Sequence, residues 1–175
     1  LGGGLPIAAL VGRADVIKWA RLISGTFGGD CIGLAAADAT LARYQQGGVC
    51  EYMWRIGAQI IDGYNALAAK HGAPTRAVGQ PPHPVFRWDE VPCPGGAPNR
   101  HRASLFFQET VLRGHLIHPE GLNVMLAHAV DDVAGLLRAC DEAMRIVMKA
   151  IAAGAVREMI LGEPIDPAPV WRVAQ

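Results

Sequence analysis

Two hydroxyl groups, several glycines and a carboxylate lie together in the stretch Ser24–Asp30 (SGTFGGD), directly before an apolar run from Cys31 to Ala42. Glycine lets the backbone approach a ligand closely, and the first turn of a helix carries N–H groups without intrahelical partners. With the Thr26 hydroxyl as a further donor, the stretch predicts a site for an anion. The pattern is neither GxGxxG nor a P-loop, and most isolated glycine clusters only reverse the chain.

Three lysines, Lys18, Lys70 and Lys149, are candidates for covalent chemistry because an amine can form a Schiff base. A lysine in that role lies in a desolvated site whose surroundings lower its pKa. Each of the three lies in a predicted helix among residues typical of a surface, so we expect solvated charges. No catalytic residue is therefore assigned in this sequence.

The histidines His115 and His118, with Glu120 and His128 nearby, suggest a metal site. On a strand, however, positions three apart point to opposite faces, and the sequence has no HExxH or paired-cysteine pattern. We therefore expect polar or partly buried histidines and no metal. Cys31, at a predicted helix start, could have a lowered thiol pKa, but no base is placed beside it, so we expect it to pack as a small residue.

At 175 residues, with 51% apolar and 18% charged residues, the chain has an ordinary globular composition and can bury a core. Its 16 basic and 16 acidic residues balance, so neither nucleic acid nor an anionic membrane is expected as a partner. No apolar run approaches the length that crosses a bilayer. The four cysteines are far apart, which favours free thiols in a reducing compartment such as the cytoplasm. The chain begins with LGGGLP and no Met, and we expect a fragment of a longer protein.

The hydrophobic pattern predicts three elements in the first part of the chain. Residues 7–11 form an apolar run of strand length, and 14–22 have the pattern of a short helix. Residues 31–44 are predicted to be a helix with Asp30 as its N-cap. Because this helix is apolar on nearly every side, we expect it to be buried from several directions.

The rest of the chain alternates long helices with short strands. Gly72 and Gly154 each follow a helical pattern at the position where a left-handed residue ends a helix. Pro81-Pro82 breaks a strand pattern because proline cannot donate to a central ladder. The predicted elements are a helix at 49–71, a strand at 75–88, a loop at 91–99, a helix at 100–113 capped by Asn99 or Ser104, strands at 115–118 and 122–126, and a helix from 130 that Gly154 ends. The sum is an α+β fold.

Residues 1–19 (LGGGLPIAALVGRADVIKW) resemble the segment after the active-site lysine of class III pyridoxal-phosphate aminotransferases, above all the glutamate-1-semialdehyde aminomutase branch. The stretch Ser24–Asp30 resembles the SGT motif of this family. The resemblance continues in the family's order over nearly the whole chain except its tail, at 33–41, RIG at 55–57, GYNAL at 63–67, LFFQE at 105–109, RG at 113–114, NVM at 123–125, AH at 127–128 and ACDEAMR at 139–145.

The resemblance implies an α+β fold made of the small C-terminal domain of a fold-type I enzyme, with the last strand and helix portion of the large domain attached. Residues 1–46 would be the trailing part of the large domain, 47–154 the small domain, and 155–175 a C-terminal extension. It also implies pyridoxal 5'-phosphate as cofactor and aminotransferase or 2,1-aminomutase chemistry on an amine or amino acid.

The resemblance further implies Gly25 and Thr26 as the cofactor-binding residues. Thr26 matches the family's threonine that contacts the cofactor phosphate of the neighbouring subunit, so we expect a homodimer with the cofactor site at its interface. The family's Schiff-base lysine lies two residues before the position of Leu1. We therefore expect this chain to contribute a phosphate contact and dimer surface, and to be inactive by itself.

Two positions depart from the family's pattern. Asp30-Cys31 stands where many members have a pair such as Asn-Pro, and Ala129 stands where many have Ser or Thr. Arg87 and Arg102 are the candidates for binding a substrate carboxylate. Two alternatives stay open: a non-catalytic dimerisation or interaction module derived from the same family, and an unrelated α+β binding domain whose glycine turns hold another anion.

Overall fold

The computed structural model describes residues 1–20, 25–88 and 99–165. The chain divides into two compact units, residues 1–50 and 51–175. The three-part domain assignment at 46 and 154 stays a prediction. Among the described helices, none combines the length and the apolar composition that a membrane span requires.

The first unit begins with a tight turn, in which the Leu5 amide donates to the Gly2 carbonyl at 3.0 Å and the Ile7 amide donates to the Leu5 carbonyl at 2.9 Å. The strand predicted at 7–11 is wrong, because this segment is irregular. An apolar run forms a stable strand only beside a partner that satisfies its backbone groups. The described residues of the first unit contain no such strand.

Helix α1 spans Ala14–Ile17 and helix α2 spans Cys31–Gln45. The helix predicted at 14–22 is therefore shorter than expected, and residues 21 and 22 lie outside the described ranges. The predicted N-cap of α2 is confirmed, since the Asp30 carboxylate accepts a hydrogen bond from the Gly33 amide at 2.8 Å. A local interaction between residues three apart thus fixes where α2 begins.

The expected burial of α2 is wrong. Only Gly33 and Ala37 are buried in this helix, whereas Ile32 is 66% exposed, Leu34 52% and Leu41 51%. A helix that is apolar on all sides needs neighbours on all sides. Nothing in the described part of the chain covers these side chains, so α2 presents an open apolar surface.

The second unit contains three long helices and one antiparallel hairpin, and the structure confirms that it is mixed α and β. Gly72 at φ +60° and Gly154 at φ +66° follow two of these helices in the left-handed conformation, as predicted. The elements are α3 (Val49–His71, which begins in the first unit), β1 (Arg76–Gln80), β2 (His83–Arg87), α4 (Asn99–Leu112) and α5 (Val130–Ala153).

The hairpin turns at the predicted break, Pro81-Pro82, with Ala77 opposite Phe86. The Asn65 side chain on α3 covers the outer edge of β1, because its oxygen accepts from the Ala77 amide at 2.8 Å and its nitrogen donates to the Ala77 carbonyl at 3.2 Å. This pair satisfies backbone groups that would otherwise stay open at a sheet edge.

The outer edge of β2 is covered by an extended segment. The Leu122 amide donates to the Pro84 carbonyl at 2.9 Å, and the Val124 amide donates to the Pro82 carbonyl at 3.0 Å. The predicted strand at 122–126 is thus reduced to these two contacts without regular strand structure. The strand predicted at 115–118 is wrong, because both edges of the hairpin are already in contact with other parts of the chain.

The core of the second unit joins the hairpin to the helices through aromatic rings. Tyr64 stacks on Phe86 with ring centroids 3.9 Å apart and planes 12° apart, and Phe106 meets the Tyr64 ring edge-on at 5.8 Å. Phe86 and Trp88 are both buried, at 5% and 2% exposed. This cluster fixes β2 against α3 and α4.

The segment that follows α5 lies along α4. The Ser104 hydroxyl inside α4 accepts a hydrogen bond from the Ile165 amide at 2.8 Å, and the Gln108 side chain bonds the Met159 carbonyl at 3.0 Å and the Leu161 amide at 2.7 Å. Ser104 is therefore not a helix cap as proposed, but a contact for residues 155–165. Of the loop predicted at 91–99, residues 91–98 lie outside the described ranges, and Asn99 begins α4.

Candidate functional site

The anion site predicted at Ser24–Asp30 is described from Gly25 onward, and Ser24 lies outside the described ranges. Two overlapping turns form here: the Gly28 amide donates to the Gly25 carbonyl at 3.0 Å, and the Asp30 amide donates to the Phe27 carbonyl at 3.2 Å. Gly29 has φ +80°, a conformation that favours glycine. Gly25 and Thr26 are both exposed at the start of this turn.

The hydrogen-bond donors available to an anion lie in the turn itself rather than at the start of α2, where the sequence predicted them. Asp30 places a carboxylate at the start of α2, and that negative charge opposes a second anion at this helix end. The Thr26 hydroxyl and the amides of Phe27 and Gly29 make no hydrogen bond to any described residue. The turn therefore offers neutral donors of its own for an anion, whereas the helix end contributes less than the sequence suggested.

The glycine at position 25 is not required by packing. A Cβ atom added to Gly25 would meet no heavy atom within 4 Å, whereas one added to Gly28 would lie 3.2 Å from the Gly25 carbonyl oxygen. The φ angle of Gly25 is not in the left-handed region. A need for glycine at position 25 would therefore come from a ligand that approaches the backbone.

The three lysines are exposed, as predicted. The Lys18 ammonium lies 5.4 Å from the centroid of the Trp19 ring, and Lys70 forms an ion pair with Asp141 at 2.8 Å while its side chain stays 58% exposed. Lys149 lies on an exposed position of α5. None of them lies in the desolvated surroundings that are typical of a Schiff-base lysine.

The histidine cluster takes part in local turns. The His118 Nδ1 accepts from the Glu120 amide at 3.2 Å, and the His128 Nδ1 accepts from the Met125 amide at 3.1 Å. Within the described ranges, no group of three or more His, Cys, Asp or Glu side chains is placed to hold a metal ion.

The cysteines differ in their surroundings. Cys31 is exposed at the start of α2, so the expectation that it packs as a small residue is wrong. Cys140 on α5 is free and fully buried, and this burial raises the pKa of its thiol to about 12. The buried thiol is therefore neutral at physiological pH and packs in the hydrophobic core.

The two arginines suggested for a substrate carboxylate have different surroundings. Arg87 lies at the end of β2, is exposed and already has an interaction partner. Arg102 on α4 is only 1% exposed, and its Nε and Nη1 atoms have no hydrogen-bond partner. A substrate could reach Arg102 only after the surrounding core had opened, so its position does not fit a carboxylate contact.

A cavity of about 330 Å³ lies between β2, α4 and the turn at Pro119, wholly inside the second unit. Phe86, Trp88 and Phe107 form its apolar wall, and the side chains of Arg100 and Glu120 lie at its exposed rim. Sequence reasoning missed this cavity, because its charged residues lie on separate elements and follow no motif.

Comparison with curated proteins finds similarity to glutamate-1-semialdehyde 2,1-aminomutases. No family model matches the chain. The glutamate-1-semialdehyde 2,1-aminomutases of Desulforudis audaxviator and Anaeromyxobacter sp. are 29% and 31% identical to it, over 83% and 82% of this chain. Each match spans 36% of the relative, so the chain covers about a third of the length of these curated relatives.

The structural comparisons agree with the sequence. The FumI protein of Sphingopyxis sp. MTA144 superposes with a TM-score of 0.66 at 24% identity, over 82% of this chain and 34% of that one. The chain matches the C-terminal portion of class III pyridoxal-phosphate-dependent aminotransferases. An omega-transaminase from Sphaerobacter thermophilus shares the fold at a TM-score of 0.63 and 18% identity, over 83% of this chain and 36% of that one.

The class III likeness confirms both the recognised family and the fold class predicted from the sequence, a partial fold-type I domain. The FumI structure contains pyridoxal phosphate, and so does a second similar transaminase structure with a TM-score of 0.63 and 15% identity. The assignment of Gly25 and Thr26 as cofactor contacts within this class III framework stays a prediction.

Proposed function

We propose that this chain is part of a pyridoxal-phosphate-dependent aminotransferase or 2,1-aminomutase that acts on an amine or amino acid. In this proposal the Thr26 hydroxyl donates to the phosphate of a cofactor that is held mostly by the other subunit of a homodimer in the cytoplasm. The observation that carries the proposal is the exposed Thr26 hydroxyl, unpartnered among the described residues, on a turn that resembles the family's phosphate contact.

The donor set of the turn fits a phosphate group. A hydroxyl and the amides of Phe27 and Gly29 point to no described acceptor, and neutral donors of this kind bind phosphate without a change in their own protonation. The open space beside Gly25 would let a phosphate approach the backbone. When bound, pyridoxal phosphate supplies an electron sink for cleavage of a bond at the substrate's amine-bearing carbon. The part played by this chain is to hold and orient the phosphate end.

The Schiff-base lysine is proposed to lie outside this chain, because Lys18, Lys70 and Lys149 are all exposed. We expect no turnover of an amine by the 175-residue chain supplied with pyridoxal phosphate. Borohydride treatment followed by peptide mapping should find no cofactor fixed selectively to one of these lysines. Transamination by the chain alone, or selective labelling of one lysine, would contradict this part of the proposal.

The proposal of a dimer surface is supported by apolar side chains that are exposed in the first unit. Among them are Ile32 and Leu34 on α2 and Trp19, which is 81% exposed. Exposed apolar patches of this kind mark surfaces that other protein covers. The proposal assigns this cover to the rest of the enzyme and its second subunit.

The decisive experiment compares Thr26→Ala with Thr26→Ser in the complete protein. Thr26→Ala removes the donor and should weaken pyridoxal-phosphate binding about 10- to 150-fold, since one hydrogen bond to a charged group contributes about 1.5–3 kcal/mol. Thr26→Ser keeps the hydroxyl and should restore most of the affinity, as measured by titration of the apoenzyme with cofactor.

The matched control is Thr40→Ala on α2, where the hydroxyl only donates to the Ala36 carbonyl at 2.8 Å. It should leave cofactor affinity unchanged. Equal affinities of the Thr26→Ala variant and the wild-type protein would reject the phosphate contact. If the complete protein binds no pyridoxal phosphate at all, the non-catalytic module is favoured instead.

A further inference from the structure

We propose that the cavity between β2 and α4 binds a free amino acid with an apolar side chain. The inference does not depend on the proposed function, because every residue that it uses lies in the second unit and none belongs to the turn at Thr26.

The size of the cavity limits its occupant. Its volume of about 330 Å³ is near the lower end of the range of about 300–1,000 Å³ that ligand pockets occupy. A molecule with one ring or one branched chain fits this volume, whereas a nucleotide or a cofactor with several rings does not.

The wall of the cavity selects an apolar body. Phe86, Trp88 and Phe107 are only 2–5% exposed and line the cavity with aromatic surface. A branched or aromatic side chain that displaces water from this surface gains roughly 25 cal/mol for each Å² that it buries.

The rim of the cavity selects both charges of an amino acid. Arg100 lies on α4, and Glu120 lies in the turn at Pro119. Both side chains line the cavity and are exposed. Neither side chain forms an ion pair or a hydrogen bond with another described residue. A carboxylate can therefore bind the Arg100 guanidinium, which matches its planar geometry, while an ammonium group binds the Glu120 carboxylate.

The opposite charges of Arg100 and Glu120 favour a zwitterion over a simple acid or amine. A simple carboxylate would gain Arg100 but would face the like charge of Glu120, and a simple amine would face Arg100. Arg87 also lines the cavity, but it has a partner already, and the proposal gives it no part.

Calorimetric titration of the 175-residue chain, without pyridoxal phosphate, tests the inference with three probes. L-Phenylalanine should bind at least tenfold more tightly than 3-phenylpropanoate, which lacks the amine, and 2-phenylethylamine, which lacks the carboxylate. Arg100→Gln should weaken phenylalanine binding at least tenfold and should strengthen phenylethylamine binding, because it removes a like charge that opposes the amine. Glu120→Gln should weaken phenylalanine binding and should strengthen phenylpropanoate binding, because it removes a like charge that opposes the carboxylate.

Matched controls separate the rim charges from the general charge of the surface. Arg138→Gln and Glu158→Gln change exposed residues outside the cavity and should leave all three affinities unchanged. Ala103→Leu fills the cavity wall and should abolish phenylalanine binding, with thermal unfolding as the check that the variant is folded.

The inference is overturned if phenylalanine shows no saturable binding, if the Arg100→Gln variant binds it as the wild-type chain does, or if the folded Ala103→Leu variant still binds it. None of these outcomes affects the cofactor titration of the Thr26 variants, so failure of one proposal can be told from failure of the other.

Discussion

The Tyr64 hydroxyl lies 2.7 Å from the Thr75 hydroxyl, and both side chains are buried. Thr75 donates its own proton to the Arg87 carbonyl at 2.8 Å, so Tyr64 must be the donor of the first bond. Burial is the main reason why the pKa of Tyr64 is raised, which keeps the phenol protonated. Two consecutive hydrogen bonds thus connect α3 to the end of β2.

This chain of bonds predicts unequal effects of two conservative substitutions. Tyr64→Phe removes one donor and should lower the free energy of unfolding by about 0.5–1.5 kcal/mol. Thr75→Val removes the donor to the Arg87 carbonyl and leaves the buried Tyr64 hydroxyl without its acceptor, so the loss should be larger, about 1–3 kcal/mol for the unsatisfied hydroxyl alone. Urea unfolding of the second unit measures both, and a larger loss for Tyr64→Phe would contradict the assigned direction of the bonds.

Helix α3 passes so close to the hairpin turn that replacing one glycine, Gly57, should strongly lower stability. A Cβ atom at Gly57 would lie 1.6 Å from the Pro81 carbonyl oxygen, which is backbone and cannot rotate away. Gly57→Ala should therefore cost at least about 1–3 kcal/mol of stability, as expected for overpacking, despite the better helix propensity of alanine. Thermal unfolding measures the loss.

Gly63→Ala is the matched control on the same helix. Its Cβ atom would lie 2.5 Å from the Leu137 Cδ1, the end of a flexible side chain that can change its rotamer. The gain in helix propensity of about 1 kcal/mol offsets part of this contact, so the change in stability should be small. Equal losses of stability for the two variants would show that the Pro81 contact is not the reason why position 57 requires glycine.

The ion pairs of Asp141 should make a contribution to stability that depends on pH. Its carboxylate accepts hydrogen bonds from Lys70 at 2.8 Å and His71 at 2.5 Å, and these partners, Lys70 first, lower the pKa of Asp141. A lowered pKa in the folded state means that the stabilisation is present above the ordinary Asp pKa of about 3.9 and is lost as the pH falls through the folded value.

Asp141→Asn should therefore destabilise the protein at pH 7 and have little effect once the pH is well below 3.9. Because the side chain of Asp141 is 31% exposed and that of Lys70 is 58% exposed, the loss at pH 7 should be no more than about 1 kcal/mol and should shrink in high salt. Asp62→Asn, at an exposed position of α3, is the control and should show no such dependence. An equal loss at both pH values would refute the assignment.

The negative charge of Asp30 should weaken the binding of a phosphate group at the neighbouring Thr26 turn. Asp30→Asn keeps a side-chain oxygen that caps the Gly33 amide but removes the negative charge beside the Thr26 turn. If phosphate binds at this turn, removing the charge should tighten cofactor binding by the equivalent of about 0.3–1 kcal/mol at low salt. Titration of the complete protein with pyridoxal phosphate measures it, and weaker binding would argue that the phosphate lies elsewhere.

The features that the sequence predicted well depend on neighbouring residues. The cap at Asp30 joins residues three apart, and the ends of α3 follow from one periodic pattern that Gly72 closes. Strand predictions were less successful, because an apolar run such as 7–11 carries no information about whether a partner strand exists. The Arg100 and Glu120 rim could not be predicted, since only tertiary packing brings α4 to the turn after His118.

The covered edges of the hairpin restrict how copies of this chain can associate. Asn65 engages the Ala77 backbone on one side, and Leu122 and Val124 engage β2 on the other. A strand from another molecule would have to displace these hydrogen bonds before it could extend the sheet. These hydrogen bonds therefore protect the hairpin from the strand addition that starts many aggregates.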